Sequence, residues 1–170
     1  VVSLISPGTE LNWGYLGESF PSVQGYAAIV EVEAVGAEVE GISPGDLVFC
    51  QGQHRSWQRC EAVATRPVPS GLAPEVAVFC RLMGITMSTL TTTTARPPEP
   101  VLVTGLGIVG ALGAAIFHTC GYEVLGVDPD PTRRDLAARV GVPTVLAEAP
   151  VTDPAWAGRI GLVLELSLIH

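Results

Sequence analysis

Basic residues are scarce in this sequence, in which 9 Lys and Arg stand against 17 Asp and Glu for a formal charge of −8. The charges are scattered, so the chain lacks the basic patch that binding to a phosphate backbone requires. Nucleic acid is therefore not an expected partner. Cysteine is also sparse, and its four occurrences form neither a C-x-x-C pair nor a Cys/His pair at zinc-site spacing. We therefore expect no structural metal site.

The chain also lacks the parts of a secretory signal, namely a charged start, a short apolar segment and a small-residue cleavage site. We therefore expect free thiols in a reducing compartment, the cytoplasm. Both ends look truncated, because residue 1 is not Met and residues 167–170 follow a strand-like segment without a finishing turn. Residues 167–170 resemble a non-native tail from adapter read-through, so we assign no chemistry to His170.

Charge is absent from the stretch "VLVTGLGIVGALGAAIFHTCGY", which runs from Val101 to Tyr122 and is about as long as a membrane-spanning helix. Two properties argue against a membrane helix. The flank that follows is acidic rather than basic, and Gly121 ends the helical pattern after only about twelve residues. We therefore expect no membrane association.

The same stretch contains a G-x-G-x-x-G pattern between a β-type segment and an apolar helix. In a dinucleotide-binding loop the first glycine makes a tight turn, the second lets the backbone approach a pyrophosphate, and the third lets the helix pack on the strand. The pyrophosphate then meets the N–H groups at the helix N-terminus. The predicted cofactor-binding residues of this loop are Gly105, Leu106, Gly107, Ile108, Val109 and Gly110.

Asp128 follows the next predicted strand, 23 residues after Gly105, at the spacing of the acidic residue that binds the ribose hydroxyls. Its charge would repel a 2′-phosphate, which favours NAD over NADP as the cofactor. A helix cap is the alternative role, but Asp130 already supplies that cap. The basic pair Arg133 and Arg134 could instead hold a 2′-phosphate, although solvated helix charges are the commoner role.

The first half of the chain predicts β structure followed by a helix. Residues 1–72 contain short segments punctuated by Gly and Pro, among them a strand from Tyr26 to Val35 with one apolar face and a strand from Asp46 to Cys50. They predict a small β-barrel or sandwich. Residues 73–98 predict a connecting helix that starts at Pro74, and a linker. The apolar face predicted for this helix comprises Val76, Phe79, Leu82 and Met83.

Residues 99–166 alternate strands with helices, which argues for a parallel sheet. The predicted elements are a strand at 101–104, a helix at 108–119, a strand at 123–127, a helix at 131–140, and strands at 144–146 and 160–166. The predicted fold class is therefore α/β with a β N-terminal part, in which a doubly wound parallel sheet carries the dinucleotide loop.

This order of parts resembles the medium-chain dehydrogenase/reductase superfamily, the zinc-type alcohol dehydrogenases and their relatives. The resemblance is carried by "SPGTEL" (6–11), "GYAAIVEVEAVGAEVEGISPGDLVF" (25–49), "VLVTGLGIVG" (101–110) and "VLGVDPDPTRRDLAARVGV" (124–142). It implies a partial GroES-like barrel, a partial Rossmann domain, and hydride exchange between NAD(P) and an alcohol or carbonyl substrate. It also implies that the full-length protein is a homo-oligomer, whereas an isolated half-sheet would be poorly stable.

The resemblance breaks at the zinc ligands. Pro7 stands where zinc members place a Cys, Tyr26 stands in place of the ligating His, and Cys80 alone falls near the third ligand. A catalytic zinc needs three protein ligands. We therefore expect a zinc-free branch in which no residue ligates a metal.

Without zinc, the reacting oxygen needs hydrogen-bond donors from the protein. Thr9 matches the family's proton-relaying hydroxyl, and Tyr26 could donate to the alkoxide from the place of the lost ligand, or could pack in the barrel. His54 could take a proton near neutral pH, although a lone loop His is more often a surface residue. Glu10 is expected to form a salt bridge or a cap.

The leading hypothesis is an NAD-dependent, zinc-independent alcohol dehydrogenase/reductase with Thr9, Tyr26 and His54 as catalytic candidates. Two alternatives stay open. One is a dinucleotide-binding module without catalysis, and the other is an NADPH-dependent enzyme like the quinone oxidoreductases.

Overall fold

The computed structural model describes residues 1–167. Of the tail predicted at 167–170, only Ser167 falls within this range, and His170 lies outside the described residues. The chain divides between Arg81 and Leu82 into two compact units.

The first unit contains an antiparallel sheet of four short strands in the order β1-β2-β3-β4. The strands are β1 (Val2–Leu4), β2 (Ala27–Glu31), β3 (Leu47–Cys50) and β4 (Arg66–Pro67). Helix α1 (Pro7–Glu10) and a π-helical segment (Leu11–Tyr15) follow β1, and a 3-10 turn (Ala62–Ala64) precedes β4. The sequence did not predict α1, although a proline in its first turn suits a helix start.

The strand predicted from Tyr26 to Val35 is shorter than expected, and its predicted alternation of faces is wrong. Ala27, Ala28 and Ile29 are exposed by only 0%, 3% and 0%, so both faces of β2 are covered where the strand begins. A strand that is covered on both faces reads as a continuous apolar run rather than an alternating one. The polar and apolar residues alternate mainly in the second half of the predicted segment, and β2 ends at Glu31.

The helix predicted from Pro74 is broken into α2 (Pro74–Ala77) and α3 (Cys80–Thr92). Pro74 lies in the first turn, as predicted. The predicted apolar face is wrong in part, because Leu82 is 1% exposed whereas Val76 is 59% exposed. The break between α2 and α3 changes which residues share a face, so a single 3.6-residue repeat does not describe both helices.

The second unit contains a parallel sheet of four strands in the order β7-β6-β5-β8. Its elements are β5 (Pro100–Thr104), α4 (Ile108–Thr119), β6 (Glu123–Val127), α5 (Pro131–Arg139), β7 (Thr144–Leu146) and β8 (Leu162–Glu165). The predicted bounds of α4, β6 and β7 are confirmed, and those of the other three elements differ by one or two residues. Among residues 1–167, no helix has both the length and the apolarity that a bilayer crossing requires.

The core of the second unit lies between the central strands and the helices. Val101 and Val103 on β5 and Val124 on β6 are completely buried, as expected for strands of a covered parallel sheet. Phe117 of α4 packs edge-to-face against Tyr122 with ring centroids 5.0 Å apart. The strands and α4 are thus held rigidly where the glycine-rich loop joins them.

Candidate functional site

The glycine-rich loop lies at the carboxyl end of β5, where the strand order of the sheet reverses. β6 and β7 extend the sheet on one side of β5, and β8 pairs with its other side. In open parallel sheets ligands bind outside the carboxyl ends of the strands at such a switch point. The N–H of Gly105 donates to the C=O of Val127 at 2.8 Å, so the loop is also fixed to the end of β6.

The three glycines of the loop differ in what a side chain would meet. Gly105 has a φ of +84°, which favours glycine because L side chains rarely adopt it. A Cβ on Gly110 would lie 1.8 Å from the carbonyl oxygen of Gly105, so only glycine lets α4 start here. A Cβ on Gly107 would meet no protein atom within 4 Å. The fold therefore gives no steric reason for glycine at position 107, which suits the close approach of a ligand.

Helix α4 begins directly after Gly107, which has no side chain with which to cap it. The first N–H groups of a helix have no intrahelical acceptor and carry the positive end of the helix dipole. Ile108, in the first turn, is 42% exposed, whereas Leu106 is 2% exposed and packs in the core. The N-terminus of α4 therefore suits an anionic group such as a pyrophosphate.

Asp128 follows β6 as predicted, but it is 1% exposed and its carboxylate is held by the backbone. Oδ2 accepts the N–H of Leu106 at 2.8 Å, and Oδ1 accepts the N–H of Asp130 at 2.9 Å. Each carboxylate oxygen has a second acceptor position. Asp128 thus ties the glycine-rich loop to the turn before α5, a structural role that the sequence pattern does not reveal.

Arg133 and Arg134, the basic pair of α5, have different partners near Asp128. Asp130 caps the helix as predicted, its Oδ1 accepting the amide two residues on at 2.8 Å. Arg134 donates to two backbone carbonyls of the turn at 2.7 and 2.8 Å. Arg133 is 48% exposed and lies 3.6 Å from Asp128 and 3.8 Å from Asp130. Arg133 is therefore the member of the pair that remains accessible to a ligand.

Two polar residues that the sequence did not single out meet at the carboxyl ends of β5 and β8. Thr104 donates a hydrogen bond to the carboxylate of Glu165. Hydrogen bonds from Ser167 and then from Thr104 lower the pKa of Glu165. The contact joins residues 61 positions apart, so only the pairing of β5 with β8 could reveal it.

In the first unit, Thr9 and His54 belong to one hydrogen-bonded network. The Oγ of Ser6 donates to the Oγ1 of Thr9 at 3.0 Å, and the N–H of Ser6 donates to Oε1 of Glu10 at 3.0 Å. Oε2 of Glu10 lies 3.0 Å from Nε2 of His54. The Oγ of Ser3 lies 2.8 Å from Nδ1 of His54. Glu10 pairs with His54, a contact that is a salt bridge only when the imidazole is protonated, and the network adds Ser3 and Ser6, which sequence reasoning missed.

The loop that carries His54 is held against the segment before β2. The N–H of His54 donates to the C=O of Gln24 at 2.8 Å. Gly25 has a φ of +141°, and a Cβ there would lie 2.3 Å from the Cα of Gln53. Glycine at position 25 therefore permits the approach that places the imidazole.

Tyr26 lies against Arg81 and not in this network. The guanidinium carbon of Arg81 is 4.5 Å from the centroid of the Tyr26 ring, a cation–π contact. Among residues 1–167 no hydrogen bond joins Tyr26 to Thr9 or His54. The hydrogen-bonded network thus includes two of the three catalytic candidates, while Tyr26 follows Gly25, whose backbone lies against the loop of His54.

The residues at the zinc-ligand positions of the resemblance do not fit a catalytic zinc. Pro7 has no donor atom, and Tyr26 is stacked on a cation. Cys80 is exposed and is the one thiol among these three positions, whereas a catalytic zinc needs three protein ligands. In the described part of the protein no three His, Cys, Asp or Glu side chains are grouped to hold a metal ion.

Comparisons with known proteins relate the chain to dehydrogenases. No protein-family model matches it. The L-threonine 3-dehydrogenase of Pyrococcus abyssi is 30% identical over an alignment of 178 residues, which covers 82% of the chain and 50% of that protein. A zinc-type alcohol dehydrogenase-like protein of Staphylococcus aureus is 28% identical over 141 residues, covering 74% of the chain and 42% of that protein. The chain spans about half the length of the curated relatives it matches.

Solved structures show the same likeness. An alcohol dehydrogenase from Thermus sp. ATN1 has a TM-score of 0.74 at 24% identity, over 88% of the chain and 55% of that protein. An oxidoreductase from Salmonella enterica, solved in complex with NADP, has a TM-score of 0.65 at 24% identity, over 85% of the chain and 49% of that protein. The parallel sheet and its glycine-rich loop define an α/β protein with a partial Rossmann fold. The chain belongs, as a partial member, to the medium-chain, zinc-type alcohol dehydrogenase-like family.

Proposed function

We propose that the chain is part of an NAD-dependent oxidoreductase that transfers a hydride between the nicotinamide and an alcohol or carbonyl substrate without catalytic zinc. The observation that carries the proposal is the loop at the switch point, where Gly107 is glycine although a Cβ there would meet no protein atom within 4 Å. The dehydrogenases among the relatives support the class of reaction. The poor fit of the Pro7, Tyr26 and Cys80 positions to a metal supports the zinc-free form.

The residues present fit a dinucleotide. The amides at the start of α4, from Ile108 and Val109, would hold the pyrophosphate beside Gly107. The remaining acceptor positions of Asp128 would bind the hydroxyls of the adenosine ribose. When bound, the nicotinamide supplies the hydride acceptor for alcohol oxidation or the hydride donor for carbonyl reduction.

The protein's own side chains would handle the proton that leaves the alcohol oxygen. Because Thr9 accepts a hydrogen bond from Ser6, its own O–H is available to donate to a reacting oxygen. His54 would take or return the proton at the exposed side of the network, where its side chain is 29% exposed. Tyr26 would donate to the developing alkoxide, with the charge of Arg81 against its ring.

An NADPH-dependent enzyme like the quinone oxidoreductases is the second candidate, and Arg133 favours it. The exposed guanidinium lies beside the carboxylate that would bind the ribose, where it could pair with a 2′-phosphate. The Salmonella enterica oxidoreductase was solved with NADP. Titration with NADH and NADPH separates the two. We expect tighter NADH binding, whereas tighter NADPH binding that Arg133→Ala abolishes and the exposed control Arg159→Ala preserves would favour the second candidate.

Turnover and metal content of the purified protein test the main proposal. We expect the chain by itself to be inactive, and the full-length protein to oxidise at least one alcohol, or reduce one aldehyde, in a panel with NAD(H) while it holds no stoichiometric zinc. One equivalent of tightly bound zinc would contradict the zinc-free form. Dinucleotide binding without turnover on any member of the panel would favour a non-catalytic module. The cytoplasmic location and homo-oligomeric state of the whole protein are parts of the same proposal.

A further inference from the structure

Glu10 is a buried carboxylate that the proposed reaction does not use. The residue is 4% exposed, and both of its carboxylate oxygens have partners in the first unit. Oε1 accepts the amide of Ser6, and Oε2 contacts the imidazole of His54, each at 3.0 Å. Within residues 1–167 no Lys or Arg side chain pairs with it. The orientation of this carboxylate is therefore fixed by one backbone donor, and its other oxygen faces one imidazole.

This arrangement decides the tautomer of His54. An ionised carboxylate only accepts hydrogen bonds, so Nε2 of His54 must carry the hydrogen that faces Glu10. In the neutral imidazole, Nδ1 is then the acceptor. The hydroxyl of Ser3, 2.8 Å from Nδ1, donates to it. Ser3 is exposed on β1, so Nδ1 is the nitrogen on the solvent side of the network.

We propose that Glu10 is a positioning residue that fixes His54 as the Nε2–H tautomer, so that Nδ1, beside the Ser3 hydroxyl, is the nitrogen that exchanges a proton. The inference rests on the proposed acid–base role of His54. Ser6 completes the arrangement, because its amide orients Glu10 while its hydroxyl binds Thr9. Glu10 thus links the orientation of the imidazole to the same serine that orients the candidate relay hydroxyl.

Glu10→Gln gives a directional test. The amide of Ser6 needs an acceptor, so the carbonyl oxygen of the glutamine amide stays at the Oε1 position and its NH₂ faces His54. An NH₂ donates, so Nε2 must become the acceptor and the hydrogen moves to Nδ1. The substitution therefore inverts the tautomer while it preserves the shape of the side chain.

Ring ¹⁵N shifts of the purified protein, recorded on the alkaline plateau where His54 is neutral and assigned with His54→Gln, provide the readout. We expect a pyrrole-type shift at Nε2 and a pyridine-type shift at Nδ1 in the wild type, exchanged in Glu10→Gln. Ser3→Ala should keep the wild-type pattern. A wild type with the hydrogen on Nδ1, which requires no variant to detect, or a Glu10→Gln protein with unchanged shifts would overturn the inference.

Kinetics separate this inference from the proposed function. If the protein turns over an alcohol, Glu10→Gln should lower kcat about tenfold or more with little change in KM, since proton transfer of this kind contributes about 10²–10⁴-fold. An exposed control, Glu38→Gln, should leave both constants unchanged. Inverted ring shifts without any turnover would retain the positioning role and reject the oxidoreductase. Turnover with an unaltered kcat in Glu10→Gln would retain the oxidoreductase and reject the positioning role.

Discussion

Asp128 shows at the level of a single residue how a predicted ligand-binding carboxylate also has a structural role. Its spacing from the glycine-rich loop predicted a ribose ligand, and the structure shows a carboxylate that accepts the amides of Leu106 and Asp130. Spacing in the sequence reports the chemistry of a residue type but not its backbone partners. The proposed ribose role would use the second acceptor position of each oxygen, and because Asp128 is 1% exposed with Arg133 3.6 Å from Oδ2, a ribose would have to displace the Arg133 side chain.

Asp128→Ala should therefore destabilise the protein even without cofactor. The buried amide of Leu106 and the partly buried amide of Asp130 lose a charged acceptor, which costs about 2–3 kcal/mol in the free energy of unfolding. Asp135→Ala, at an exposed position of α5, should change the free energy of unfolding by less than about 0.5 kcal/mol. Urea denaturation of both variants measures the difference. Equal stability of the two variants would show that the Asp128 carboxylate does not hold the loop.

The buried thiol of Cys50 should make the free energy of unfolding depend on pH. Burial first, and then the contact with Cys60, raise the pKa of its thiol to about 12 in the folded protein. The folded state therefore favours the protonated thiol, whereas the unfolded chain ionises near its ordinary value of 9.0. The stabilisation is present below that value and is lost as the pH rises from about 9 towards 12.

Denaturant unfolding at pH 8 and at pH 10.5 checks this expectation. The free energy of unfolding should fall over this interval in the wild type and fall less in Cys50→Ala, which has no thiol to ionise. Cys50→Ala is expected to be less stable at both values because it leaves a cavity. A wild type and a variant with the same slope against pH would refute the assignment.

Residue-scale chemistry also marks the limit of what the sequence could predict about the site. Thr9 and His54 were candidates from their residue types and a family match. Their connection through Ser6 and Glu10 was not visible, since the Glu10–His54 contact spans 44 positions. A local pattern cannot report contacts that only the fold creates.

At the level of helices and strands, the sequence predicted element bounds correctly where capping residues and glycines mark the same ends as the apolar pattern. Asp130 and the glycine after α5 delimit that helix in the sequence, and the α4 and β6 bounds follow from Gly107 and Gly121. It failed for β2 and for the helix after Pro74. There the burial depends on which faces are covered, and one apolar pattern does not determine that.

The start of α4 offers a matched pair of glycine substitutions. Gly110→Ala places a Cβ 1.8 Å from a backbone oxygen, and relief of that clash should cost about 3 kcal/mol or more. Gly107 has a φ of −63°, and a Cβ there would meet no protein atom within 4 Å. Gly107→Ala should therefore change the free energy of unfolding by less than about 1 kcal/mol. Thermal unfolding followed by circular dichroism compares them. Similar melting temperatures would contradict the packing described for α4.

At the scale of the whole molecule, the two units carry different parts of the proposed chemistry. The unit from Leu82 onward holds the glycine-rich loop at the switch point of its sheet, and the unit from Val1 to Arg81 holds the polar network of Thr9 and His54. The chain spans about half of its curated relatives, which are dehydrogenases. Both the sequence motif and the sheet topology favour the glycine-rich loop as the binding site.

Calorimetric titration of the wild type and Gly107→Ala with NADH tests whether the glycine-rich loop holds a dinucleotide. We expect one site in the wild type and at least about tenfold weaker binding in the variant, because a methyl group at position 107 fills the space that the pyrophosphate needs. The melting temperature of the unliganded variant should match the wild type. Equal affinity in the two proteins, or no binding in the wild type, would show that the glycine-rich loop does not hold a dinucleotide.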